Sequence, residues 1–395
     1  MPGRTRFSDL HDDLVAAVLA RLPLRQVARA RLVCRRWHAL TAYHSFLRST
    51  ASRQTAAGFF VNDHLSVRAD YVPFPHGCST AAENGPAPDL SFIPSAALPG
   101  DPQRGVHVSG SCNGLLLLWC PLHRPAGHYA CNPLTRELAR IPVVEGLRSL
   151  NLAFDPSVSP HYKVVGFGHM SDIHVYSSET RSWGAAVYHD RSLFSGLRSV
   201  RGIFWNGSMV WTVGHSLVQF VLEGGHLKTI PMPPKRKEGW FCTYIGESAG
   251  HLQMIGYTKE EKLTACFEIL EMQRGRSEWS HLYRVDLGRV KELHPEIEWP
   301  TWDTRSKEHK VIGYLALSPV CVVRGTGEAG KHGVLIFSIP GKIMLYDMKD
   351  QRISVVGEVE SSARELRSRC HFECPWYYFY AYSPIACLLC SHYLP

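Results

Sequence analysis

The sequence predicts an α+β multidomain chain: three short N-terminal helices over residues 1–48, then a mainly antiparallel all-β domain over 58–395, a β-propeller of about six blades. Three observations predict it. Apolar residues recur at helical spacing only near the start of the chain. Beyond Val106, short runs of strand composition alternate with turn clusters almost to the end. In that stretch a single unit repeats about every 45 residues.

The helices come first. Leu14, Val15, Val18, Leu19 and Leu22 share one helical stripe and follow Ser8 and the acidic pair Asp12 and Asp13, which suit a helix start. Leu22-Pro23-Leu24 interrupts the stripe, because proline disfavours helical geometry in the residue before it and is accepted in the first turn of the next helix. A second helix is expected from about Arg25, carrying Val27, Ala28, Ala30, Leu32 and Val33, and Trp37, Leu40 and Phe46 continue the stripe into a third. So short a unit buries too little surface to be stable alone, so it needs either the rest of the chain or another protein.

Residues 49–57 are small and polar and read as a linker. Gly58-Phe-Phe-Val61 predicts a first strand, and Pro73 to Pro102 reads as a long loop rich in Pro, Gly, Ala and Ser. The repeat then begins. Each unit pairs an apolar strand with a second strand that enters a polar turn: 114–119 with 129–138, 162–167 with 173–183, 207–211 with 218–227, 250–255 with 267–279, and 334–337 with 343–353. Aligning Cys131, Tyr176, Phe220, Leu270 and Tyr346 gives steps of 45, 44, 50 and 76 residues, a propeller-blade period until the last step, which is expected to hide another blade around Val311 to Val323. A blade exposes apolar faces that only its neighbours can cover, which favours a ring. The aromatic run from Trp376 to Tyr382 suits a closing strand beside the early strands near Phe59. The competing architecture is another antiparallel sandwich or barrel.

Composition narrows the function classes. The chain is globular, with 45% hydrophobic and 20% charged residues, and no apolar run is long enough to span a membrane. Twelve scattered cysteines fit reduced thiols, so a soluble protein of the cytoplasm or nucleus is expected, with no membrane partner. The net charge of +8 owes much to the first fifty residues, where nine arginines face three aspartates. Basic residues interleaved with aromatics are missing, so a nucleic-acid partner is not expected.

The order of leucine, acidic pair, apolar helix, Leu22-Pro23-Leu24 and Leu32-Val-Cys-Arg-Arg-Trp37 resembles the F-box, a motif covering about one tenth of the chain. Asn113-Gly-Leu, Asn132-Pro-Leu-Thr and the run from Val175 to Trp183 are similar to the kelch-related F-box-associated domain of plant F-box proteins. The resemblance implies docking on a Skp-type adaptor and, through it, a cullin, with an unknown target protein bound by the propeller. It places Leu10, Leu14, Val18, Leu22, Pro23, Leu24, Val33, Cys34 and Trp37 in the F-box core or on its adaptor-facing surface. His11 stands where the family usually has proline, so a less pre-organised entry and weaker adaptor binding are expected.

Enzyme motifs fare worse. Gly246-Glu-Ser248-Ala-Gly250 satisfies the nucleophile-elbow pattern, but strand-like runs flank it on both sides where the elbow needs a strand and then a helix. Gly325 to Lys331 resembles a phosphate-binding loop, yet His332 stands where a magnesium-binding Ser or Thr is required. Cys370, Cys374, Cys387 and Cys390, with His371 and His392 nearby, pose a zinc question, which the apolar setting of Cys387-Leu-Leu-Cys390 argues against. No catalytic residue, metal or cofactor is therefore expected. The competing classes are a propeller enzyme or small-molecule sensor, disfavoured because the strands taken as inner ones are rich in Leu, Val, Ile and Met, and an F-box scaffold acting outside a ligase.

Overall fold

The computed structural model describes residues 10–22, 24–42, 46, 57–63, 69–74, 88, 90–93, 105–121, 126–142, 144–168, 172–188, 201–213, 216–233, 240–302, 311–324, 333–358 and 377–382. They fall into two compact units, Met1–Gly207 with Tyr377–Pro395, and Ser208–Trp376.

The first unit opens with α1 (Asp12–Leu19), α2 (Leu24–Ala30) and α3 (Arg35–Ala42). Val15, Leu19, Val27, Ala30, Leu40 and Phe46 turn inward as a small core, and Leu10, Leu22 and Trp37 pack against its edge. The second helix is shorter than its stripe suggested. After Ala30 the chain makes single turns, with Leu32 N–H donating to the Arg29 carbonyl and Val33 N–H to that of Ala30. Arg31 takes the buried position there, which leaves Leu32 and Val33 facing out.

Among the described residues five antiparallel sheets follow, four of four strands and one of five, each built on an up-and-down run of four consecutive strands and therefore a propeller blade. Blade one is β3 (His107–Cys112), β4 (Leu115–Cys120), β5 (Gly127–Asn132) and β6 (Glu137–Ile141). Blade two is β7 (Leu147–Ala153), β8 (Lys163–Gly168), β9 (Asp172–Ser177) and β10 (Ser182–Trp183), with β11 (Val187–Tyr188) also paired to β9. Blade three is β12 (Ile203–Trp205), β13 (Ser208–Val213), β14 (Ser216–Val221) and β15 (His226–Ile230). Blade four is β16 (Trp240–Ser248), β17 (His251–Thr258), β18 (Cys266–Met272) and β19 (Trp279–Asp286), with α4 (Lys259–Leu263) between β17 and β18. Blade five is β22 (Ser318–Arg324), β23 (Gly333–Ile339), β24 (Lys342–Asp347) and β25 (Arg352–Glu358).

The five aligned residues Cys131, Tyr176, Phe220, Leu270 and Tyr346 all lie on third strands, β5, β9, β14, β18 and β24. Among the described residues there are five blades, where about six were expected. The 76-residue step holds α5 (Gly288–Leu293), a 3-10 turn at Pro295–Ile297 and a two-stranded sheet of β20 (Glu298–Trp302) and β21 (Val311–Leu315), and the stretch Val311 to Val323, where another blade was expected, falls on β21 and on β22 of blade five. Val290 and Ile297 of this insertion are fully buried with Ile255, Phe267, Val285 and Phe337, so it extends the core between blades four and five.

A second correction concerns the strands. The Leu- and Val-rich runs are the second strand of each blade, and the first strands β3, β7 and β16 mix polar with apolar residues, which hid them from a composition-based reading. β3 and β4 join through Asn113-Gly114, both at positive φ (44° and 87°), the geometry of the tight hairpin turn that Asn-Gly favours.

The chain ends meet in the first unit. β1 (Gly58–Asp63) pairs antiparallel with both β2 (Ala69–Pro73) and β26 (Tyr377–Tyr382), Phe60 standing opposite Tyr380, as the aromatic run near the C-terminus suggested. Asn62, fully buried, accepts the Val108 N–H at 3.1 Å and donates to the Val108 carbonyl, which couples β1 to β3. Neighbouring blades are latched by the same device in each unit: Trp183 Nε1 donates to the Pro142 carbonyl at 3.0 Å, and Trp279 Nε1 to that of Pro231 at 2.7 Å.

Blade one also carries a histidine that acid must charge. His128 stacks 4.7 Å from Trp119, and burial pushes its pKa down to about 4. The unfolded chain takes the proton first, so stability is complete above about pH 6.5 and is lost as pH falls toward 4. Over that range up to about 3 kcal/mol is at stake, one pKa unit being worth about 1.4 kcal/mol. His128→Phe is expected to flatten that acid limb in denaturant midpoints measured from pH 7 to 4, and an unchanged slope would refute the assignment.

Candidate functional site

The helical segment presents the strongest binding feature among the described residues. His11 is the N-cap of α1 with φ −63° and ψ 149°, and its carbonyl accepts the N–H groups of Leu14 and Val15 at 3.0 and 3.1 Å. Asp12 and Asp13 in the first turn match the positive end of the helix dipole. This entry sets the rotation of α1, so Val15 and Leu19 point into the core while Leu14 and Val18, one turn apart, stay 57% and 42% exposed.

The link between α2 and α3 adds Leu32 at 86% exposure and Val33 at 65%. Cys34 is exposed too, and its sulfur accepts the Trp37 N–H at 3.5 Å, serving as the acceptor at the start of α3. Arg36 fixes α3 against α1: its Nε donates to Asp12 Oδ1 at 2.8 Å and its guanidinium donates to the Leu10 carbonyl. Arg21, Arg29 and Arg35 are exposed around this surface.

Of the exposed large apolar side chains among the described residues, four lie between positions 14 and 33, while Val158, Phe241, Leu263, Leu293 and Val355 are scattered over the blades. Four exposed large apolar side chains within twenty residues of one small helical unit make it the candidate binding surface. The sequence-derived residues thus divide. Leu14, Val18, Val33 and Cys34 face solvent, whereas Leu10, Leu22 and Trp37 pack on the helical core. Leu24 begins α2, its side chain lies outside the described residues, and so does Pro23 entirely. Leu32 and Arg36 were missed, Leu32 because helical periodicity placed it inward, and Arg36 because its partners lie 24 and 26 residues away.

The conformation at His11 bears on its replacement of the usual proline. A φ of −63° is one that proline adopts, and the His11 N–H makes no hydrogen bond among the described residues. The Asp13 contact at 3.3 Å is between exposed groups and adds little. His11→Pro is therefore expected to stabilise the helical segment by about 0.4–1 kcal/mol through the unfolded state. Thermal melts of the two proteins check this, and a lower midpoint in the variant would sink it.

The other sequence motifs resolve differently. Gly246-Glu-Ser-Ala-Gly250 forms the hairpin between β16 and β17, Ala249 and Gly250 having φ of 52° and 83°, so the strand-turn-helix setting of a nucleophile elbow is absent there. Ser248 Oγ accepts the Arg324 N–H at 3.1 Å. Nearby, the buried Glu271 carboxylate lies 3.3 Å from Arg324 Nε and 3.4 Å from His251 Nδ1. Gln253, opposite Glu271 and fully buried, has no hydrogen-bond partner for either amide atom among the described residues. This cluster joins blade four to Arg324 of blade five, and no hydrogen bond joins Ser248 to His251 among the described residues.

Gly325 to Lys331 and the cysteines 370, 374, 387 and 390 lie outside the described residues. Among those described, no group of three His, Cys, Asp or Glu could hold a metal, and no helix is long and apolar enough to cross a membrane.

Comparison with known proteins places these features. The F-box domain matches residues 7–49. An F-box protein of Arabidopsis thaliana is 26% identical over 381 residues, covering 89% of this chain and 86% of its own length. A second Arabidopsis F-box protein is 31% identical over 131 residues, 33% of this chain and 32% of the relative. An Arabidopsis F-box/kelch-repeat protein is 25% identical over 191 residues, 45% of each chain. Residues 7–49 are an F-box domain, and with the propeller that follows, the chain as a whole is similar to plant F-box proteins, F-box/kelch-repeat proteins among them.

Proposed function

We propose that this chain is the substrate-recognition subunit of a Skp-cullin-F-box ubiquitin ligase, working in the cytoplasm or nucleus without an active site of its own. The observation that carries the reading is the exposed apolar set Leu14, Val18, Leu32 and Val33 on the F-box. Fully burying an exposed Val or Leu gains about 1.5–3 kcal/mol, and each of these would gain the share of that set by its present exposure. The arginines around the set suit an adaptor with acidic residues at the rim and favour fast association.

The blades would hold a target protein while the adaptor and cullin bring a charged ubiquitin carrier to it. Catalysis is then proximity: a target lysine held near the ubiquitin thioester reacts at a high effective concentration. The target is engaged through loops, whose identity a scaffold leaves open.

The test is capture of a purified Skp-type adaptor by the purified full chain. A stoichiometric complex is the expected result. A folded chain that captures no adaptor would overturn the reading and move a scaffold role outside the ligase to the front.

A further inference from the structure

Blade one differs from the others at one turn. In four blades the third and fourth strands join through four residues: Pro133 to Arg136, Ser178 to Arg181, Leu222 to Gly225, and Met348 to Gln351. In all four the fourth residue adopts a positive φ, 59° at Arg136, 54° at Arg181, 61° at Gly225 and 53° at Gln351. The last strand residue closes the turn in the same way. Asn132 Oδ1 accepts the N–H groups of Leu134 and Thr135 at 3.0 and 3.4 Å, and Asp347 Oδ1 those of Lys349 and Asp350 at 2.8 and 3.0 Å. At the second position the other blades carry Glu179, Glu223 and Lys349, all exposed, as turn tips generally are. Blade one carries Leu134 there.

That leucine has a partner. It packs against the helical core of Val15, Leu19, Val27, Ala30, Leu40 and Phe46. The turn behind it is stiff: Asn132 is fully buried, Pro133 fixes its own φ, Thr135 Oγ1 donates to Glu137 at 2.9 Å, and Arg136 lies 5.3 Å from the centre of the Phe92 ring. A rigid turn with one apolar side chain at its tip is suited to hold a neighbouring domain in place. Polar tips on equivalent turns show that the turn itself does not require a leucine.

We propose that Leu134 is a positioning residue, the seat on which blade one holds the F-box helices at a fixed orientation. The seating stands on the geometry alone; its consequence, a set reach from a bound target to the ubiquitin carrier, rests on the ligase reading above.

Hydrogen exchange followed by mass spectrometry on the full chain tests it, with Leu134→Glu, Leu134→Lys and Leu134→Met. Glu and Lys occupy the equivalent turns, so these substitutions keep the turn and remove the seat. The expected result is roughly three- to tenfold faster exchange in α1 and α3 for Leu134→Glu and Leu134→Lys, the local opening that follows from losing some of a leucine's burial. β5 and β6 should keep their wild-type protection, and Leu134→Met should restore slow exchange in the helices. Unchanged exchange in the helices would overturn the proposal. So would loss of protection in β5 and β6 in the Glu and Lys variants, because the leucine would then belong to the fold of blade one. Failure of the wild-type chain to capture an adaptor would sink the ligase reading and leave the exchange result intact.

Discussion

Replacing Leu14 and Val33 together by glutamate is expected to cut adaptor affinity at least a hundredfold while leaving the melting curve of the chain unchanged. Both side chains are more than half exposed and lie outside the helical core, so the free protein loses little packing and the new charges stay in contact with water. In the complex, each substitution removes an apolar contact and places a carboxylate where water is excluded. In the proposed complex, the lost burial of two apolar side chains together with two carboxylates desolvated without partners would exceed the roughly 2.8 kcal/mol that corresponds to a hundredfold change. Titration calorimetry with the purified adaptor reads the affinity directly. Binding within threefold of wild type would remove the exposed set from the interface. Leu22→Asp or Trp37→Ala would be a poorer test, because both residues pack on the helical core and their loss would unfold the segment that binds.

How far the sequence could be read follows from the range of the signals. The order of elements was legible, because helical spacing at residues 12–40 and the recurrence of Cys131, Tyr176, Phe220, Leu270 and Tyr346 are local patterns imposed by single elements. The closing strand was legible as well, since Tyr377–Tyr382 is an aromatic run whose only suitable partner was the Phe59-Phe60 strand. The first strands of the blades were not, because residues such as Ser109, Ser149 and Asn151 give them the composition of a loop. The blade count of about six differs from the five found among the described residues because the apolar stretch Val311 to Val323 is shared by two elements, β21 of the two-stranded sheet and β22, the first strand of blade five.

The family resemblance pointed to the segment that matches the F-box, and its residues divide between a core and a surface role. Periodicity assigned Leu32 and Val33 to a buried stripe, and only the break at Ala30 with Arg31 turned inward shows that they face out. Contacts between residues far apart in sequence leave no local pattern at all. The bond from Arg36 to Asp12, the packing of Leu134 on the helices and the pairing of Arg324 with Glu271 belong to that class.

The last of these pairs carries the second large effect. Arg324→Met is expected to destabilise the chain by about 3–5 kcal/mol at pH 8, the usual consequence of removing one partner of a buried ion pair. Glu271 is only 2% exposed, and among the described residues its ion-pair partners are Arg324 and, when protonated, His251. Above neutral pH the histidine is uncharged, so the variant would bury a carboxylate with no counter-charge. Acid should then partly rescue it. In the wild type, burial holds the His251 pKa below the ordinary value, Glu271 pulls it up, and Arg324 pushes it down. Losing Arg324 raises that pKa. A raised folded pKa brings stability as pH falls, whereas the depressed wild-type pKa loses stability as pH falls through about 6.5. The gap between variant and wild type should therefore be widest above pH 7 and narrow below about pH 6. Adding Glu271→Leu should recover most of the loss at every pH, because no unpaired charge remains and apolar packing replaces the pair. Urea denaturation at pH 8 and pH 5.5 measures all of this. A loss under about 1 kcal/mol at pH 8, or a double variant no better than Arg324→Met, would mean that water already solvates Glu271 and that the pair adds little to this blade interface.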